Sequence, residues 1–97
     1  VKFEWDEGKN RENINKHKLD FTDAWEIFAA PMLINLDTRE DYGDGRWIGI
    51  GFLKNFVVVV VYTENEDVIR LISLRKALTH ERTRFKEALR NELGESQ

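Results

Sequence analysis

Apolar residues recur with a helical period at both ends of this chain and with a strand-like period between them. Phe3-Glu4-Trp5 alternates as a short strand would. Asp6 has the chemistry of an N-cap and Glu7 suits the first turn, so the spacing predicts a helix running to about Lys18. That helix is polar: Asn10, Asn13 and Asn15 are weak helix formers, and Ile14 is its only large apolar residue. With so little to bury, it needs another reason to sit against the fold. Asp20 caps a second, amphipathic helix, in which Phe21, Ala24, Trp25 and Phe28 fall at i, i+3, i+4 and i+7 before Pro31 ends it.

Beyond Pro31 the period shortens. Met32 to Leu36, Arg46 to Leu53, Phe56 to Thr63 and Val68 to Arg75 read as four strands. The third is apolar on both faces through the valines at 57 to 61, which predicts a central position. Lys54-Asn55 and the turn from Glu64 to Asp67 are short links, which join antiparallel neighbours. A closing helix begins near Thr79, with Phe85, Ala88, Leu89 and Leu93 toward the sheet. The expectation is one α+β domain over residues 1–97: two N-terminal helices, a four-stranded antiparallel sheet with a short extra N-terminal strand, and a C-terminal helix. Only the polar tail Gly94 to Gln97 is expected to lack structure.

Composition narrows the function classes. With 41% hydrophobic and 34% charged residues, this is the make-up of a soluble globular domain. The absence of cysteine removes disulfides and thiolate metal sites and fits a reducing cytoplasm. The charged start is unlike a signal peptide, and Val57 to Val61 is too short to span a bilayer, so no membrane partner is expected. The two histidines, His17 and His80, sit in no ligand-spaced motif, and neither metal nor cofactor is expected. The net charge of −3 argues against a simple nucleic-acid binder, but Val68 to Arg90 holds seven Lys/Arg against only Glu81 and Glu87. A basic segment on an acidic body can attract phosphate at short range, although composition alone favours the plainer reading of a solvated helix face.

Candidate chemistry concentrates in two places. Arg70 lies between Ile69 and Leu71 and requires either a carboxylate, such as that of Glu4 or Asp6, or a phosphate. Arg75 is five residues further on, hence on the opposite face of a regular strand, and the two cannot bind one phosphate unless a bulge, or the strand's end near Arg75, re-aims one of them. On the first helix, Asn13, Lys16 and His17 share one face at i, i+3, i+4, placing an amide, a cation and a group titrating near neutrality together. Arg46 follows the acidic loop and opens a strand, where it can reach a phosphate or simply pair with Asp44. Glu81 reads as a helix-cap residue or as an orienter of Arg75 or His17. Trp5, Trp25 and Trp47 could stack bases, but buried aromatic anchors are the better default reading.

These motifs taken together resemble a known family. Phe3-Glu4-Trp5-Asp6, Lys9, Asn13, Lys16-His17, Phe21 and Ala24 are similar to the N-terminal signature of the BrnT toxins. Tyr62-Thr63, Arg70, Ile72-Ser73, Arg75-Lys76-Ala77 and Glu81-Arg82 are similar to the C-terminal one. The resemblance implies a RelE-like fold and a bacterial type II toxin that cleaves RNA without a metal. It also implies neutralisation by a BrnA-like ribbon-helix-helix antitoxin in a hetero-oligomer that contacts operon DNA through the antitoxin. On this basis Arg70, Arg75, Arg46, Lys16 and His17 are the expected catalytic set, and Asn13, Lys76 and Arg82 the expected substrate-binding set. Such cleavage needs a base for the 2′-hydroxyl, cations for the phosphorane and an acid for the leaving oxygen. The chain departs from the family at four positions: Lys18 stands for a usual Gly, Gly45 for an acidic residue, Phe85 for a common Tyr, and Leu74 for a smaller side chain. The loss at position 45 and the acidic body of the chain support an alternative, a catalytically weak module that holds its antitoxin and tunes operon repression.

Overall fold

The computed structural model describes residues 1–39, 41 and 45–92. Asp44, Leu93 and the tail Gly94 to Gln97, all named above, lie outside the described residues. The elements run β1 (Lys2–Glu4), α1 (Glu7–His17), a 3₁₀ turn (Phe21–Asp23), α2 (Trp25–Phe28), β2 (Leu33–Leu36), β3 (Arg46–Leu53), β4 (Phe56–Asn65), β5 (Val68–Lys76) and α3 (Thr79–Glu92). The architecture is α+β, as expected. The sheet has five strands in the order β1-β5-β4-β3-β2. It is mixed, because β1 pairs parallel with β5 while the other neighbours are antiparallel. The valine-rich β4 is central. Among the described residues, no helix is long and apolar enough to cross a membrane.

Alternation along β4 divides the core between two faces. Val58, Val60 and Tyr62 join Phe21, Ala24, Ile27, Leu71 and Leu74 beneath α2, whereas Val57 and Val59 join Ile50, Ala77 and Phe85 beneath α3. Two glycines let the first layer close: a Cβ on Gly49 would meet the end of Met32 at 2.5 Å, and one on Gly51 would meet Ile27 at 2.9 Å. Two of the departures from the family fall in these cores. Leu74 is fully buried, and Phe85 is buried edge-on against Phe52 with ring centroids 5.0 Å apart. Any hydroxyl that relatives place at position 85 would therefore project from a core ring.

The second helix differs from its expected form. A 3₁₀ turn opens it, so the buried positions follow a period near three, Phe21, Ala24 and Ile27. The change of phase turns Trp25 outward, 55% exposed, where a continuous α-helix would have buried it. Trp47 is 37% exposed on β3. Only Trp5 behaves as the expected anchor, packed against the first core with its ring edge-on to Phe21.

The polar helix α1 is held by amides instead of hydrophobic burial. Asn10 donates to the Asp20 carboxylate at 3.0 Å and accepts from the Phe21 N–H at 2.9 Å. Asn13 donates to the Leu19 carbonyl at 3.0 Å and accepts from the Leu74 N–H at 3.1 Å. Both asparagines are buried, whereas Ile14 is 37% exposed. Because β1 reaches only as far as Arg70, the edge of β5 beyond it would present bare N–H groups. Asn13 supplies the acceptor there, and α1 thereby replaces the missing length of strand. The helix ends at Lys18 in the left-handed region, φ 63°, with its N–H donating to the Ile14 carbonyl. A Gly adopts this conformation without the Cβ penalty.

Candidate active site

β5 decides where the two arginines go. Val61 pairs with Ser73 and Tyr62 with Leu71, so Ile72 is an extra residue without an opposite number on β4. Arg70 stands across from Thr63 and Arg75 across from Val59. Directly opposed residues project to one face, and Thr63 and Val59 are four positions apart on a regular strand. Arg70 and Arg75 therefore share the α3 face. Strict alternation predicts opposite faces; the bulge at Ile72 overturns that expectation.

Sharing a face does not place them in one site. Four residue steps of strand separate them, roughly 13 Å. Arg70 lies in a transverse row across four strands, Glu4–Arg70–Thr63–Arg46, each opposite the next. Its Nη1 donates to a Glu4 carboxylate oxygen at 2.9 Å, and both side chains are about half exposed. Glu66 and Asp67 line the same depression, so its surroundings are acidic. Of the two needs foreseen for Arg70, a carboxylate or a phosphate, the carboxylate is present.

Arg75 has different company. It lines a surface depression with Lys16, His17, Lys76 and Leu78, and an adjoining depression shares Lys16 and His17 and adds Lys9, Glu12, Asn13, Ile72 and Ser73. The last turn of α1 thus meets the far end of β5, and the Asn13 bond to Leu74 fixes that junction. Of the expected site residues, the structure brings together Lys16, His17, Arg75, Lys76 and Asn13. It does not bring Arg70, Arg46 or Arg82 to them. The Asn13 amide is already engaged by two backbone groups. Arg82 donates to the Ala77 carbonyl at 2.9 Å and the Thr79 hydroxyl at 3.1 Å, stapling the turn between β5 and α3. Lys76 also lies over the Phe56 ring, 4.2 Å from its centroid.

The Arg75 guanidinium is tightly held. Nη1 and Nη2 donate to the two carboxylate oxygens of Glu81, each at 2.9 Å, and Nη1 also reaches the Lys76 carbonyl at 3.3 Å. An arginine has five N–H groups, so these contacts leave Nε–H and the second Nη2 hydrogen, which form the side-on fork that fits two phosphate oxygens. Arg75 is raised above the usual arginine pKa, chiefly by the Glu81 hydrogen bonds. Those same bonds, with help from the Leu78 N–H, hold Glu81 down at about 2. His17 is lowered from 6.5, first by burial and then by the charges of Lys16 and Arg75. Its imidazole is therefore neutral at pH 7 and able to take a proton.

Two features escape the sequence reading. The bulge has no compositional signal, since Ile72 is an ordinary strand residue. The other is Arg39: its charge opposes the rise in the Arg75 pKa, and Asp37, whose side chain is fully buried, holds it through bonds of 2.8 and 2.7 Å. The Asp37-Thr38-Arg39 spacing, two residues apart at a strand end, is the only sequence trace of that clamp. A Cβ added at Gly45 would meet nothing within 4 Å, so packing does not exclude a side chain there. Among the described residues, no group of three or more His, Cys, Asp or Glu is arranged to hold a metal ion.

The depression thus sets a neutral histidine beside a held arginine and two lysines on a mixed five-stranded α+β domain. The family is identified by sequence comparison. Residues 5–81 match the family described as "Ribonuclease toxin, BrnT, of type II toxin-antitoxin system", and the chain belongs to it. A search of curated proteins finds no match. As a member of a type II toxin–antitoxin family, the protein has an antitoxin as its class of partner.

Proposed function

We propose that this protein is a metal-independent endoribonuclease whose site is the depression between the end of α1 and the end of β5. Its base is His17. The neutral imidazole takes the proton of a ribose 2′-hydroxyl, the 2′-oxygen attacks the adjacent phosphorus, and the 5′-oxygen of the next nucleotide leaves. The products are a 2′,3′-cyclic phosphate and a 5′-hydroxyl. The remaining fork of Arg75 binds the phosphorane oxygens, where a fixed cation stabilises the charge that develops. Lys76 adds positive charge, and the Lys16 ammonium, next to His17, protonates the leaving oxygen. Arg70 and Arg46 have no part in the chemical step, because they stand in the transverse row across the other end of the sheet, Arg70 on β5 and Arg46 on β3. Cleavage in the cytoplasm stops translation and growth, and a BrnA-like ribbon-helix-helix antitoxin relieves it by covering the basic depression.

The observation that carries this reading is the pairing of a lowered His17 with an Arg75 that retains one open fork on the same depression. Purified protein incubated with RNA in excess chelator is expected to cleave it, and the same RNA with 2′-deoxy nucleotides is expected to stay intact. Cleavage of the 2′-deoxy substrate, or cleavage indifferent to Arg75→Ala, would overturn the mechanism. The absence of a carboxylate at Gly45 favours a second reading, a weakly catalytic module that holds its antitoxin. That reading requires tight antitoxin binding together with no cleavage in this assay.

A further inference from the structure

Glu81 makes more contacts than a helix cap requires. As the third residue of α3 it accepts the Leu78 N–H at 2.7 Å, half of a capping box. The same carboxylate holds both terminal nitrogens of Arg75 and is only 16% exposed. One residue thereby ties the start of α3 to the guanidinium at the lip of the depression. Arg82 staples the same turn from the other side, so Arg75 is fixed to a rigid corner. A long arginine side chain on a strand end would otherwise sample many rotamers.

We propose that Glu81 is a positioning residue, whose carboxylate aims the open fork of Arg75 at the depression beside His17 where the scissile phosphate binds. This rests on the ribonuclease reading for the identity of the phosphate but not for the coupling between the side chains. Glu81 never touches the substrate. It excludes the end-on fork of Arg75 from phosphate, leaving side-on approach through Nε and Nη2. It also offsets an arginine charge that faces His17. The other charged groups around His17 are Lys9, Glu12 and Lys16 from α1 and Lys76 from β5, and none of them contacts Glu81.

The test is Glu81→Gln in the full chain. The glutamine oxygen can still accept the Leu78 N–H, so the cap survives, but the second Arg75 contact and the compensating charge are lost. The expected result is a fall in kcat of about tenfold or more, with KM changed by less than about threefold. NMR titration of the His17 ring is expected to show its pKa lowered further, by roughly half a pH unit, since the arginine charge is no longer offset. That response should vanish in an Arg75→Ala background and be partly reversed in Glu81→Asp. A residue that only caps the helix would lower the melting temperature and leave the His17 titration where it was; that outcome overturns the proposal. An active wild type with an equally active Glu81→Gln variant overturns it as well. If the wild type cleaves no RNA, the ribonuclease reading fails, and the His17 titration still decides the coupling.

Discussion

The two ends of β5 make a natural comparison. Each carries an arginine, both arginines project to the same face, and each meets a carboxylate. At the Arg70 end the bond to Glu4 is single, both partners are about half exposed, and further acidic residues surround them. At the Arg75 end the contact is two-pronged, the carboxylate is mostly buried, and the neighbours are Lys16, His17 and Lys76. The first is a surface ion pair of the sort that contributes little. The second fixes a cation among other cations, an arrangement that favours an anion. The presence of a carboxylate partner does not separate a structural arginine from a functional one; the number of donors left over and the charge around them do.

The comparison fails if the two arginines behave alike. Arg75→Ala is expected to cut RNA cleavage about 10²- to 10³-fold, as loss of a fixed transition-state donor does, whereas Arg70→Ala should stay within about threefold in the same assay. An equal loss at both positions would mean that the substrate spans the whole strand. His17→Gln should cost about 10²- to 10⁴-fold, the range for a removed base. In the wild type, kcat/KM should rise with pH through a value below 6.5 and be level at neutral pH, because the base works unprotonated and its pKa is lowered. A limb centred above 6.5 would point to a different group.

Stability sharpens the contrast further. Asn13→Ala, which leaves the buried Leu74 N–H without its acceptor, is expected to destabilise by about 2 kcal/mol in a denaturant titration. It should also lower activity by loosening the junction under His17. The Arg75–Glu81 pair should give a smaller, pH-dependent effect. Glu81 titrates at about 2 when folded against 4.5 ordinarily, so its contribution is present above pH 4.5 and is lost as pH falls toward 2. Comparing wild type with Glu81→Gln across that window is expected to reveal on the order of 1 kcal/mol. Glu4→Ala, at the other end, should change stability by less than about 0.5 kcal/mol at any pH in that range.

Much of this fold was legible. β3 begins and ends where alternation and the Lys54-Asn55 turn place it, and the run of valines identifies the central strand. Asp6 does cap α1, its carboxylate accepting the Gly8 N–H at 3.4 Å. What was not legible came from single-residue changes of phase. The 3₁₀ turn at Phe21 moves Trp25 from core to surface, and Ile72 moves Arg75 to the face of Arg70. Neither leaves a mark in residue type, because an isoleucine in a bulge looks like any strand isoleucine. The site was partly legible for a related reason. Helical spacing put Lys16 and His17 together without reference to the rest of the fold, but their meeting with Arg75 depends on Asn13 closing the edge of β5. An asparagine on a helix reads equally well as ligand or as scaffold, and here both its polar ends are taken by backbone.

The bulge also governs how this strand tolerates changes of length. Deleting Ile72 would restore unbroken pairing with β4 and leave every other side chain of β5 on its present face, because Leu71 and Ser73 already stand opposite the adjacent Tyr62 and Val61. Pairing the full-length strand without the bulge would instead make the residues on one side of Ile72 exchange faces relative to those on the other. Either Ile69 and Leu71 would turn to solvent while Leu74 stayed inside, or Leu74 would leave the core as the first segment held its place. Substitutions at 72 that keep the bulge should be mild by comparison. In this stretch the number of residues carries information that their identity does not.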